Sequence, residues 1–321
     1  MSKTSQTIAA LVAFTLNAAP ANALVNRAWV SGHGTDAAGC GAATNPCRSF
    51  QYVHDNIIAG GGEIDALDGA EYGAITITKA LSIVGDGTLA AVEQPNAGQN
   101  AITINASLTD AVHLRGLTID GLGVATNGIV FDGGRRLDIV NCAIRHFVSD
   151  GVRLQSQVES KFTIINTISS DNGGSGIAIA QYPATFFGGT VAGSKLQNNL
   201  SGMTISGANQ AAAPMRVTVV DTIAANNSNF GFQVGANLQP VTLMLRNVTA
   251  SNDPGTIFGT SSSIGIEADN GGVVLLAHSV VTGNGTGVIA TPGGLIYSYG
   301  NNFIDSNVVD NTSSLIPIVM H

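Results

Sequence analysis

His113 and Asp138 are the pair of residues in this chain best suited to chemistry. When the stretches ending in Gly116 and Asn141 are laid side by side, His113 falls opposite Asp138, with Arg115, Arg136, Arg145 and Asp120 nearby. Adjacent strands lie about 4.8 Å apart, so imidazole and carboxylate would touch, and strand alternation turns both outward. A histidine oriented by a carboxylate beside arginines has the parts to take a proton alpha to a uronate carboxylate, which is lyase or epimerase chemistry. The same residues also read as ordinary cross-strand ion pairs, each worth about 0.2–1 kcal/mol. Tyr182, Phe186 and Phe187 form a second candidate site, in one loop, with Phe258 in another. Clustered in the open they would be platforms for sugar rings; tucked under a turn they would be loop anchors.

A repeat must position these groups. A glycine followed by three mostly apolar, β-favouring residues recurs at Gly128, Gly151, Gly176, Gly202, Gly231, Gly265 and Gly287. Subtracting those positions gives spacings of 23, 25, 26, 29, 34 and 22 residues. Short strands and Gly/Asn turns at such periods predict a solenoid whose rungs share one core. A second column runs through Asn141, Asn166, Gly193, Asp221, Asn247, His278 and Asn301, and a third through Asn172, Asn199, Asn227, Asp253, Asn284 and Asn307. Asparagine suits such corners because it tolerates left-handed backbone angles, and stacked amides bond along the axis. The connection from each glycine to the next polar column varies in length, and variable loops collect on a solenoid's working side.

Ahead of the regular array, Phe50, Val53, Ile57 and Ile58 recur at helical spacing, with Gly60, Gly61 and Gly62 expected to stop the helix. Such a helix would cover the open first rung. Residues 1–23 have the form of a secretory signal: Lys3, an apolar run from Ile8 to Leu16, then Ala21, Asn22, Ala23 as a cleavage site. In an oxidising compartment Cys40 and Cys47 would pair across their short loop, and Cys142 would be a small buried side chain within a strand. A zinc site on Cys40, Cys47 and a histidine lacks a fourth ligand at suitable spacing.

Charged residues make up only 11% of the 321 and the formal net charge is −8, which leaves no basic stripe for a phosphate backbone and argues against a nucleic-acid partner. No stretch beyond the signal approaches the ~18 apolar residues of a membrane span.

Strand triplets with an asparagine column at this period resemble the right-handed parallel β-helix of the pectate-lyase-like superfamily. The resemblance runs from about Glu63 to Asn307, and the segment WVSGHGTDAAGCGAATNPCRSFQ followed by GGEIDALDG is similar to exported bacterial β-helix proteins. It implies a fold and, as partner, a polysaccharide, because the superfamily includes lyases, hydrolases, epimerases and adhesins. The hydrolases' NTD, DD, GHG and RIK signatures are met only by GHG at Gly32–Gly34, where His33 lacks its partners. The epimerases' DPHD is approached only by the Asn-Asp-Pro string at Asn252, which lacks the histidine. The lyases' acidic calcium cluster with a basic neighbour is approached by Glu63, Asp65, Asp68 and Glu71, with no basic residue before Lys79.

The expectation is therefore an all-β chain: a signal over 1–23, a cap with disulfide loop and helix over 24–62, a right-handed parallel β-helix of roughly ten rungs over 63–307, and a tail or cap over 308–321. A secreted or periplasmic, non-catalytic glycan-contacting or cell-surface module is the leading reading. A lyase or epimerase on acidic polysaccharide and a structural envelope component are the alternatives, and no cofactor or metal is expected.

Overall fold

The computed structural model describes residues 24–180, 187–251, 263–313 and 315–319. The chain winds through three parallel sheets of 12, 9 and 10 strands, each turn giving one strand to each in succession. One turn shows the order. Ala111–Arg115 lies in the first sheet, Thr118–Asp120 in the second and Ile129–Gly133 in the third; Arg136–Val140 then returns to pair with Ala111–Arg115. The first sheet already begins at Val25–Val30, whose Ala28 pairs with Ile64, and it ends at Ile316–Pro317.

Alternation fills the interior with stacked columns. On the first sheet Val112, Leu137, Phe162, Val217 and Leu243 are buried in register, and the residues between them face outward. Each such side chain withdrawn from water contributes about 1.5–3 kcal/mol. Gly189 interrupts this column because a Cβ there would stand 2.7 Å from Cγ of Phe162, whose ring packs on Phe187 at a centroid distance of 5.5 Å.

The repeating glycines and the buried asparagines explain each other. A Cβ on Gly176 would lie 2.9 Å from the carbonyl of Gly202 and 3.0 Å from the amide nitrogen of Asn199; one on Gly202 would lie 2.5 Å from the carbonyl of Gly231 and 3.2 Å from the amide nitrogen of Asn227. Glycine is required there by the close approach of the next rung. The asparagines bond along the axis, Asn172 Nδ2 donating to Asn199 Oδ1 at 2.9 Å and Asn284 Nδ2 to Asn307 Oδ1 at 2.7 Å. The outer polar column sits where the backbone turns left-handed, with φ of 56° at Asn141, 49° at Asn166, 51° at Asp221 and 52° at Asn247. Cys142 occupies the inside of this corner, beyond the end of the Arg136–Val140 strand, where small side chains such as Thr167, Ser194 and Thr222 stack.

The N-terminal rung is closed by the helix Phe50–Asn56, among the described residues the only one. Its Ser49 cap accepts from the Tyr52 N–H at 3.3 Å, and Phe50 stacks on Tyr72 at 4.9 Å. Polar side chains of the helix satisfy the open edge of the third sheet: Gln51 Oε1 accepts from Thr76 N–H at 2.7 Å and His54 Nε2 from Thr78 N–H at 3.2 Å. Lys79 Nζ donates to the carbonyls of His54 and Ile58 at 2.6 and 2.8 Å, which ends the helix before any glycine is reached. Gly60–Gly62 therefore do not stop it; they lie inside the strand Ile58–Ala66, where the pairing with Val25–Val30 shifts register.

Candidate functional site

The outer face of the first sheet collects the charged side chains singled out above. His113 and Asp138 are register partners, and His113 Nδ1 lies 2.7 Å from Asp138 Oδ2. Arg136 Nε approaches the same oxygen at 2.8 Å, and Thr163 on the next strand also hydrogen-bonds the carboxylate. Burial pushes the Asp138 carboxyl up, but the bonds from His113, Arg136 and Thr163 outweigh it and hold the group below its usual range. Arg115 is spent on a contact with Asp86.

Arg145 and Asp120, expected beside His113, belong instead to the second sheet. There they form their own cluster: Arg145 Nε lies 2.9 Å and His146 Nδ1 3.1 Å from Asp120. The two clusters match in exposure, each with a histidine side chain 47% exposed over a carboxylate 11% exposed, but His113 is the register partner of its carboxylate whereas His146 sits in a left-handed turn beyond its strand.

The sequence-stretch with the densest acidic residues does not converge. Glu63 and Asp65 both pair with Arg27, at 3.4 and 2.6 Å. Asp68 accepts from Ser31 Oγ at 2.6 Å, Gly32 N–H at 2.8 Å and Tyr72 Oη at 2.6 Å, and these bonds, led by that from Gly32, lower its carboxyl to about 2. Glu71 turns to the Gly73 N–H. In the same loop His33 is exposed, and Gly34 is required because a Cβ would meet the carbonyl of Cys47 at 2.2 Å. Cys40 and Cys47 are joined as a disulfide, so neither sulfur beside Asp36 is a free thiolate for a metal.

Of the aromatic candidates, Phe187 is fully buried in the core and offers no platform. Tyr182, Phe186 and Phe258 lie outside the described residues.

Sequence reasoning missed a row of cations. Arg136, Lys161, Gly188 and Arg216 occupy one outward column in successive strands of the first sheet. The side chains of Lys161 and Arg216 form no ion pair or hydrogen bond with the described residues, and Gly188 leaves a gap between them. A cleft of about 390 Å³ follows this column, with Thr163 and Thr190 along its side. A second, of about 610 Å³, shares Arg136 and Lys161 and continues past Arg135 to Leu108. A chain with 13 Lys+Arg against 21 Asp+Glu thus places four cations on one contiguous surface.

The sequence pattern described as Right handed beta helix region matches residues 100–264. The chain belongs to that family. Among solved structures, this β-helix is similar to pectate lyase Pel9A, with a TM-score of 0.51 and 15% identity over 92% of this chain and 78% of that one. The A-module of mannuronan C-5 epimerase AlgE4 from Azotobacter vinelandii gives a TM-score of 0.38 and 12% identity over 81% of this chain and 91% of the module. The likeness to the lyase concerns the fold. No curated protein matches the chain significantly.

Proposed function

We propose that this β-helix is an exported, non-catalytic module that holds a linear acidic polysaccharide along the outer face of its first sheet. The column Arg136, Lys161, Arg216 carries the reading. Adjacent strands repeat at about 4.8 Å, comparable with the advance of one pyranose ring along an extended chain, so Arg136 and Lys161 meet successive carboxylates and Arg216, across the gap at Gly188, meets the next but one. Guanidinium and ammonium groups without internal partners keep their hydrogen-bond donors for a ligand. The hydroxyl of Thr190 lies beside them for a sugar hydroxyl, and that of Thr163, which donates to Asp138, keeps its oxygen as an acceptor.

The His113–Asp138 pair supports binding better than turnover. A second cluster of the same residue types, His146, Asp120 and Arg145, stands on another sheet, away from the cationic column and with a different register, which favours neutralisation of an outward carboxylate as the role of both. Asp138 in this reading fixes Arg136 at the head of the column. Export accords with the disulfide and with the absence, among the described residues, of a helix long and apolar enough to cross a membrane.

Calorimetric titration with polygalacturonate at rising salt tests the reading. Affinity should fall steeply as salt screens the cations. Binding that is absent at low salt, or indifferent to salt, contradicts it.

A further inference from the structure

We infer that a cleft beside Trp29 in the N-terminal cap is a second carbohydrate site, one that takes a neutral pyranose ring. Trp29 is the only tryptophan of the chain and stands part-exposed on the outermost strand of the first sheet. A cleft of about 380 Å³ opens against it, walled by Val25, Ile57, Asn56, Arg27 and Cys40 of the disulfide. Trp29 lines the cleft with an apolar ring, one face of which Arg27 covers, and with an indole N–H that has no partner among the described residues. An apolar wall with a few placed polar groups is the usual make-up of a small-ligand site, and the C–H face of a sugar ring matches the flat indole.

The ring is held before any ligand arrives. Arg27 lies over it at 5.3 Å from the centroid and is itself fixed by Asp65 at 2.6 Å and Glu63 at 3.4 Å. One cation faces two carboxylates here, so the cleft has no surplus positive charge and repels a uronate. That sets it apart from the Lys161–Arg216 column, where the cations are unpaired. The strand itself is anchored, Trp29 N–H donating to Gly41 O and its carbonyl accepting from Cys47 N–H, both at 3.0 Å. Asn56 closes the far wall with its amide already donating to Tyr52 O at 3.0 Å, which leaves its Oδ1 to accept from a sugar hydroxyl.

Because the chain holds one tryptophan, its emission comes from the ring beside this cleft. The full chain should be titrated with cellotetraose, xylotetraose and mannotetraose. At least one should shift or quench the emission saturably, unaffected by salt and unchanged in a Lys161→Ala/Arg216→Ala variant. Calorimetry with that sugar should show at least a tenfold loss of affinity in Trp29→Ala and a smaller loss in Trp29→Phe. Emission that none of the three sugars moves overturns the inference, as does sugar binding that survives Trp29→Ala. A response to polygalacturonate that disappears with the Lys161/Arg216 substitutions would assign the signal to the cationic column and likewise overturn it.

Discussion

His113 and Asp138 face each other across adjacent strands with Nδ1 2.7 Å from Oδ2, while His146, in the left-handed turn just beyond the strand of Arg145, brings its own Nδ1 to 3.1 Å from Asp120 on the second sheet. Two such pairs of the same exposure, only one of them near the cationic column, are what neutralisation of outward carboxylates produces. A solitary catalytic base would not need a copy.

His113→Ala and His146→Ala should therefore behave alike. Each removes a half-exposed partner and should cost less than about 1 kcal/mol of stability. Urea unfolding of the two variants checks this, and a polygalacturonate affinity unchanged within about twofold in both would show that neither imidazole is needed for binding.

Asp68 ties the first cap loop to the coil through three donors, and its carboxyl is lowered to about 2. A depressed carboxyl contributes stability that is complete above the unfolded value near 4 and is lost as pH falls toward 2. Thermal unfolding followed from pH 5 to pH 2 should show this loss in the native chain. Asp68→Asn should start lower and lack that part of the pH dependence.

The buried asparagine column predicts a larger effect. Asn199 Oδ1 accepts from both the backbone N–H and Nδ2 of Asn172, at 3.1 and 2.9 Å, while its Nδ2 donates to Ser169 O at 3.0 Å. Asn199→Ala strands these groups in the core and should cost about 1–3 kcal/mol for each one left unsatisfied. Chemical denaturation measures it.

Cys142 is the one free cysteine among the described residues, and burial raises its thiol to about 11. Thiol reagents should leave it untouched in the native protein and titrate one equivalent after denaturation without reductant. Three equivalents would show that Cys40 and Cys47 are not joined.

The repeat was legible because its cause is local and periodic. The clash that forbids a side chain at Gly176 or Gly202 recurs at Gly128, Gly151, Gly265 and Gly287, and the left-handed corner of Asn141 and Asn166 recurs at Asp221, Asn247 and His278. Phe50 and Val53 announced the capping helix for the same reason, although its end depends on Lys79, which lies too far along the chain for a local pattern to show. The candidate site was less legible. Arg136, Lys161 and Arg216 align only once the unequal turn lengths are resolved and Gly188 is counted as a member of their column. Arg145 appeared near His113 because spacing along the chain does not say which sheet a short strand joins. Phe187 looked like a loop aromatic, but Gly189 on the same strand makes room for it against Phe162.

The central claim is that unpaired cations on the first sheet hold an acidic polysaccharide without cleaving it. Charge reversal at the two unpaired positions, Lys161→Glu/Arg216→Glu, tests it most directly when polygalacturonate binding is measured by calorimetry and the same mixtures are watched for the ultraviolet absorbance of unsaturated uronates. We predict that the native chain binds with no rise in absorbance, and that the double variant, folded by circular dichroism, loses affinity by at least tenfold. Undiminished binding in the double variant, or an absorbance rise in the native chain that disappears in His113→Ala, would contradict the account.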